Sequence, residues 1–492
     1  MSDKKYITYE EFGALGDGVT DDMPAIVACH EYANANSVEV RGSDGANYYI
    51  GGRNLTAIIM TDVNWGGAKF TLDDRKIENI TQNIFRVVGT ANKFTPEIKS
   101  LKKGQKSVEF PHKGKAYVRV FDANKKRYIR KGGNMNDGCP SSDCFTVDGE
   151  GNIIGDINWD YDNFTDSYAF SVNEKPITVE GGIFTTIANN QPSFYNYHSR
   201  NIHITRSNVT LQNIAHYITG EGESSAPYSG FISVAECCDV TVKDCLLSAH
   251  KTYRTASKIP GETVPMGSYD LVANAVVGLR WINIKQTNDI ADTRYWGLTG
   301  TNYCKNIYME NCEVSRFDAH MGVTNCIVKN CRLGHMGVLL IGFGETLIEN
   351  TEFVGARAVT LRPDYGSFFY GKLTIKNCKW TPVNVEGRKI LEVISARNKG
   401  DHDFGYDCSL PQEIVVDGFF IDDRHIPTQG LSYFLLPNYG DESTEECLCS
   451  YGTPQKVRVK GLYSGAGREI LPFRFPKQYS SIDLNFQISN EL

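Results

Sequence analysis

Five short phrases in this chain are nearly one phrase. They read Val-Lys-Asp-Cys (242–245), Met-Glu-Asn-Cys (309–312), Val-Lys-Asn-Cys (328–331), Ile-Glu-Asn-Thr (348–351) and Ile-Lys-Asn-Cys (375–378). The last four follow one another at 19, 20 and 27 residues, and a repeat of that size constrains the fold before any other feature. Within each copy apolar and polar residues alternate, which is strand periodicity. The Asn or Asp falls where the strand must bend, and these residues tolerate the left-handed backbone of a tight turn. The Cys or Thr after it then points into a shared core. Short strands at this spacing, with no helical period between them, predict an all-β parallel β-helix. Its turns bury their apolar side chains only by lying on one another, about 4.8 Å apart. Weaker copies extend the coil at Asn201-Ile-His-Ile, Val209-Thr-Leu-Gln-Asn213-Ile, Ile414-Val-Val-Asp-Gly418-Phe and Val457-Arg-Val-Lys-Gly461-Leu. Stacked Asn side chains are expected to bond the turns above and below.

A solenoid grows by adding turns, so 492 residues need not mean several domains. The net charge of −7 argues against a general nucleic-acid binder, and no run is long and apolar enough to predict a membrane span. The charge is uneven. Residues 93–131 carry 13 Lys or Arg against Glu97, Glu109 and Asp122, about ten positive charges in excess. Of the 14 cysteines, Cys245, Cys312, Cys331 and Cys378 occupy the inward position of the repeat and read as small buried apolar residues. The close pairs Cys139/Cys144 and Cys447/Cys449 lack zinc-finger spacing. Reduced thiols and the absence of a signal-peptide pattern in Met-Ser-Asp-Lys-Lys-Tyr fit a cytoplasmic protein, or a secreted one whose signal has been removed.

The chain divides into an N-terminal cap with the first turns (1–91), an inserted basic β module (92–150), and the body of the coil with its C-terminal closure (151–492). Around Gly13-Ala-Leu-Gly-Asp-Gly18, Thr20 reads as a helix N-cap with Asp21 and Asp22 at the positive end of the helix dipole. The helix that follows, from Ala25 to Ala33, plugs the open end of the solenoid. The module reads as alternating and hairpin-like, either an anion-binding arm or a solvated basic sheet.

The segment Phe12-Gly-Ala-Leu-Gly-Asp-Gly-Val-Thr-Asp-Asp22 resembles the N-terminal signature of the pectate-lyase-like superfamily. This group of right-handed single-stranded β-helices includes polygalacturonases, polysaccharide lyases and phage tailspikes. The resemblance implies the fold and its cap, with the two aspartates structural.

Chemistry is expected on the outer strand that follows each Asn phrase, where side chains of successive turns align. That stripe carries Asp270, Tyr295, Trp296, Asp318, His320, His335, Arg357 and Arg362, with Asp364 and Tyr365 just beyond and Lys251 beside it. Acid, base, cation and aromatic surface on one stripe is what a sugar-processing site needs. In Phe317-Asp-Ala-His320 the i, i+2 spacing puts Asp318 and His320 on one face, where an Asp fixes the imidazole tautomer. The phrase resembles the Phe-Asp-Pro-His motif of mannuronan C5-epimerases, with Ala for Pro, which implies a proton-transfer role for His320 with Asp318 as its partner. Ser268-Tyr-Asp270, Phe317-Asp318-Ala319, Gly334-His335-Met-Gly337 and Thr360-Leu-Arg362 resemble the polygalacturonase motifs, with one carboxylate missing and Arg in place of Lys.

The expected function is cleavage of a uronate-bearing poly- or oligosaccharide. In β-elimination, Arg362 or a metal ion such as Ca2+ neutralises the uronate carboxylate, and His320 or Tyr295 removes the C5 proton. In hydrolysis, Asp270 and Asp318 share the acid and base roles, which requires carboxylates about 6.5–9.5 Å apart. The excess of His, Arg and Tyr over carboxylates favours elimination. A tailspike-like glycan binder without activity is the non-enzymatic alternative.

Overall fold

The computed structural model describes residues 5–172, 175–396, 404–427, 430–438 and 452–488. They form a right-handed parallel β-helix of three faces per turn. The repeat phrases make the first face. Val242, Trp281, Met309, Val328, Ile348, Ile375, Val416 and Val459 are register partners in sequence, and all are buried. One large apolar residue per turn, repeated in register, thus builds one stripe of the core.

The corner after this face has the backbone expected of it. Asn213, Asp244, Asn283, Asn311, Asn330, Asn350 and Asn377 all have φ between 49° and 57°, and Gly181, Gly418 and Gly461 take the same position in other turns at φ 68–78°. The side chains face solvent rather than the interior. Two rungs of the expected ladder are made, Asn283 Nδ2 to Asp244 Oδ1 at 2.8 Å and Asn350 Nδ2 to Asn330 Oδ1 at 3.2 Å. The corner therefore selects Asn for its left-handed backbone first and for side-chain bonding second. The cysteines behind it are buried. Each thiol donates to the carbonyl two residues back, at 3.1–3.3 Å for Cys245, Cys312, Cys331 and Cys378. Cys139 and Cys144 are free thiols on one strand, and the pair Cys447/Cys449 lies outside the described residues.

The helix Met23–Asn36 buries Met23, Ile26, Cys29, His30 and Ala33 against the first turns. Its N-cap position is Asp22, not Thr20. The Asp22 carboxylate accepts from Leu15 N (2.7 Å) and Gly16 N (3.2 Å), while Asp17 accepts from Thr20. The aspartates of the signature thus close the glycine turn and orient the helix.

The basic insertion is an antiparallel sheet built on Ala116–Arg127, Cys139–Val147 and Asp166–Ser171, with edge pieces at Lys93–Phe94 and Ile153–Ile154. It therefore extends past the expected boundary at 150. The coil resumes at Ile177–Glu180, which pairs with Val63–Asn64 of the turn before the insertion. The module is clamped to the coil. Lys305 Nζ bonds Asp143 with both side chains essentially unexposed, and the Tyr117 hydroxyl donates to the Ala275 carbonyl at 2.5 Å.

Candidate functional site

The third face carries the site. Leu271, Thr299, Phe317, Val338 and Val359 are register partners, and they point inward among buried residues. The alternate positions Val272, Gly300, Asp318, Leu339, Thr360 and Ser395 line the opposite, outer side. A Cβ on Gly300 would come within 2.7 Å of the Tyr269 ring. The glycine therefore lets Tyr269 lie flat over the strand and reach Asp318.

Asp318 is fully buried beneath its partners. Arg316 Nη2 and the Tyr269 hydroxyl both donate to it, and Arg362 Nη1 donates to its two oxygens at 2.5 and 2.7 Å. Burial opposes its charge, but Arg316 and Arg362 outweigh burial and hold the carboxyl well below the usual range. The other edge of the Arg362 guanidinium bonds Asp364 at 2.9 and 3.1 Å.

His320 faces the same side and remains half-buried. It makes no hydrogen bond with Asp318, contrary to the expected dyad. Its Nδ1–H donates to Asn302 Oδ1 at 3.0 Å, since an amide oxygen only accepts, and Nε2 is left as the acceptor. Nε2 receives the Tyr365 hydroxyl at 2.9 Å and Arg130 Nη2 at 3.4 Å. Burial first, then Arg362, lower the His320 pKa to about 3. Arg130 comes from the tip of the basic module, also pairs with Asp364 at 2.9 Å, and stacks over Tyr365 at 4.3 Å. The module is thus no detached arm, because its tip completes the His320 environment.

The predicted site residues part company here. Asp318, His320, Arg362 and Asp364 come together. Trp296 lies against the same cluster, its carbonyl accepting from Arg316 at 3.1 Å and its ring under that guanidinium. Asp270 belongs to a separate buried cluster, accepting from His216 Nδ1 (2.8 Å) and Ser248 N (3.1 Å), with His250 Nε2 at 3.7 Å. Tyr295 and Lys251 form a bridge with each other and line a cavity of about 350 Å³. His335 pins the Tyr295 loop through its ring, Nε2 to Tyr295 O at 2.9 Å. Arg357 lines a different cavity toward the C-terminal turns.

The hydrolytic pairing fails on this geometry. Asp270 aligns with Leu298 and Arg316, two turns or about 10 Å along the coil from the Asp318 strand. Both carboxylates are unexposed. Burial opposes ionisation of Asp270, yet His216 and His250 lower its pKa to about 2. Neither residue can serve as a protonated acid. Among the described residues no group of three His, Cys, Asp or Glu side chains is arranged to hold a metal ion, and the carboxylates of the centre are held by guanidiniums instead, so calcium does not fit this donor set.

The expected carboxylate clamp also moves. Arg362 is almost unexposed and committed to two carboxylates, whereas Arg130 lies beside the imidazole. Arg130, Tyr269, Arg316 and Asn302 are absent from the sequence-derived set, which holds Tyr365 only as a residue just beyond the stripe. Tyr365 follows the predicted Asp364 directly and Tyr269 precedes Asp270. Nothing in the sequence brings Arg130 to a strand nearly two hundred residues away.

No family model and no curated protein matches the sequence. Among solved structures, the chain is similar to the tailspike gp61 of Pseudomonas phage phi297, with a TM-score of 0.53 and 12% identity over 99% of this chain and 84% of that one. The tailspike gp49 of Pseudomonas phage LKA1 gives a TM-score of 0.46 at 12% identity, over 93% and 82% of the two chains. The A-module of the Azotobacter vinelandii mannuronan C-5 epimerase AlgE4 gives 0.32 at 10% identity, over 95% and 100%. The first likeness supports the β-helix fold alone; the other two are too loose to bear on the site.

Proposed function

We propose that this protein is a β-helix polysaccharide lyase that cleaves a uronate-containing glycan at the His320 centre. The observation carrying the reading is a neutral, half-buried imidazole whose Nε2 accepts from a tyrosine hydroxyl and a guanidinium. A uronate carboxylate would take the Arg130 guanidinium from Asp364, which Arg362 would continue to hold. Pairing the carboxylate makes the C5 proton more acidic. Burial is the first cause of the lowered His320 pKa, and the carboxylate also offsets the part that comes from the neighbouring guanidiniums, which raises basicity when substrate is present.

His320 Nε2 then takes the C5 proton as the Tyr365 hydroxyl turns from Nε2 to the glycosidic oxygen and protonates it. The C5–H and C4–O4 bonds break, a C4–C5 double bond forms, and His320 returns its proton to Tyr365. Asp318 does not touch the substrate in this scheme. It neutralises Arg316 and Arg362, without which the imidazole would face uncompensated cations.

The test is incubation with a panel of uronate-bearing polysaccharides, read by product mass and ultraviolet absorbance. Unsaturated ends are expected. Hydrated ends would favour hydrolysis, an inverted C5 centre without cleavage would favour epimerisation, and intact polymer bound to the protein would favour a binder.

A further inference from the structure

Three loops close the outer face on one side of His320. The basic module joins the coil at the corner after the third face, where Ala275, Tyr303, Lys305 and Asn325 hold it. Its tip is a hairpin loop closed by Arg130 N to Asn136 O (3.2 Å) and Asn136 N to Arg130 O (3.0 Å). The tip ends on loops of the opposite corner. There the Gly133 carbonyl accepts from Lys258 N at 2.8 Å and from Ser257 Oγ at 3.1 Å, and the Tyr195 hydroxyl donates to Asn134 Oδ1 at 2.8 Å. The fit is close, since a Cβ on Gly133 would come within 2.8 Å of Ser257 Oγ and 3.0 Å of Val264 Cγ1. Tyr195 holds a left-handed backbone at φ 57°, which a bulky residue keeps only where its surroundings fix it. Ser257 and Lys258 lie in the turn of the hairpin Tyr253–Ala256/Thr263–Met266. Ser193 Oγ, on the Tyr195 loop, donates to Met266 Sδ of that hairpin at 3.2 Å. The three loops are thus bonded to one another, and the tip spans the third face from corner to corner.

Register fixes where this wall stands. The hairpin precedes Leu271–Asn274 in the chain, and Val272 pairs with Gly300 as Gly300 pairs with Asp318. The hairpin therefore stands two turns before Asp318, which leaves about 10 Å, room for about one or two sugar rings. On the other side the same column runs on as Leu339, Thr360 and Ser395 and floors a cavity of about 400 Å³. The outer face is walled toward the N-terminal turns and open toward the C-terminal ones. We infer that the tip and its two supporting loops admit only the end of a glycan chain, so that the protein acts exolytically, with Gly133, Asn134, Tyr195 and Ser257 setting this specificity. The inference rests on the proposed function for the place of the reacting bond and for the acidic glycan, but entry by one end does not depend on how that bond breaks.

The experiment counts protein molecules per chain. Short and long chains of polygalacturonate and of polymannuronate are titrated into full-length His320→Ala by calorimetry, at a salt concentration that screens loose attraction. One protein per chain is expected at either length, because each chain offers one fitting end. A ratio that rises with chain length, or no binding to any of these chains, would overturn the proposal. Wild-type digests of the same polymers are expected to hold products of one or two sugars from the outset, beside slowly shortening chains. Early products of intermediate length that carry unsaturated ends, and that vanish in His320→Ala, would sink the wall and leave the lyase reading standing. If His320→Ala still releases one- or two-sugar products, the lyase reading fails and the wall stands.

Discussion

At the scale of single residues, the corner asparagines show what the repeat selects. Seven of them, counting Asp244, hold a left-handed backbone while facing solvent. The cost of replacing one therefore comes from backbone conformation, not from stranded buried groups. Asn377→Ala is expected to lower stability by about 1 kcal/mol, because a methyl cannot make the local hydrogen bonds with which the Asn side chain supports this conformation. Asn377→Gly should recover most of the loss, since Gly418 occupies the equivalent corner one turn on at φ 77°. Denaturant melts of the pair check this; equal losses in both would mean that the side chain, not the backbone, matters. The alternation and the Asn were legible in the sequence because both are local properties. The tautomer of His320 was not, because its partner Asn302 arrives from the preceding turn through a register that shifts beside Asp318.

At the scale of elements, two buried clusters decide how parts are held. His250 lies between Glu221 (Nδ1 to Oε1, 2.9 Å) and Asp270 (Nε2 to Oδ1, 3.7 Å). Burial opposes its charge, but these carboxylates prevail and raise its pKa to about 9. A histidine raised above its ordinary value of about 6.5 contributes stability that is whole below that pH and lost as pH rises through about 9. Unfolding free energy is expected to fall by about 3 kcal/mol between pH 6.5 and 10 through this group. In His250→Gln that portion of the slope should vanish; a slope unchanged in the variant would remove His250 from the account. The second cluster clamps the module. Asp143→Ala would leave Lys305 charged and buried, a change of about 3–5 kcal/mol for such pairs. Because the module carries Arg130, the same variant should lose activity while the coil stays folded, which circular dichroism and turnover measured together would show. The module was visible in sequence as a basic, alternating interruption. Its end was not, because Asp166–Ser171 reads as one more strand and only its antiparallel partners assign it to the insertion.

At the scale of the molecule, the basic module lies on a chain of net charge −7, so its positive potential is local. Exposed Lys99, Lys113 and Lys126 should draw acidic polymers toward the groove, an attraction that salt screens beyond about 8 Å. Charge reversal at all three is expected to raise KM for long acidic chains several-fold at low salt and to leave short oligosaccharides nearly unchanged. Equal response of long and short substrates would assign these lysines to solubility instead. Arg127 is excluded from that set because it stacks on Trp159 and Tyr406 at 4.1 and 4.8 Å and helps seat the module. The repeat told the fold, since a solenoid writes its period into the chain. The site was half legible: the strand bearing Asp318 and His320 could be placed, but the choice among candidate carboxylates and arginines depended on which were already neutralised.

The proposed lyase reaction requires that His320 remove the C5 proton. The decisive measurement is turnover of a uronate glycan labelled with deuterium at C5, compared with the unlabelled polymer, in the wild type and in His320→Ala. The account predicts a primary isotope effect on kcat/KM in the wild type, and a loss of about a hundredfold or more in the variant, the scale of positioned proton transfer. Cleavage that proceeds without an isotope effect, and at near-normal rate in His320→Ala, would contradict it.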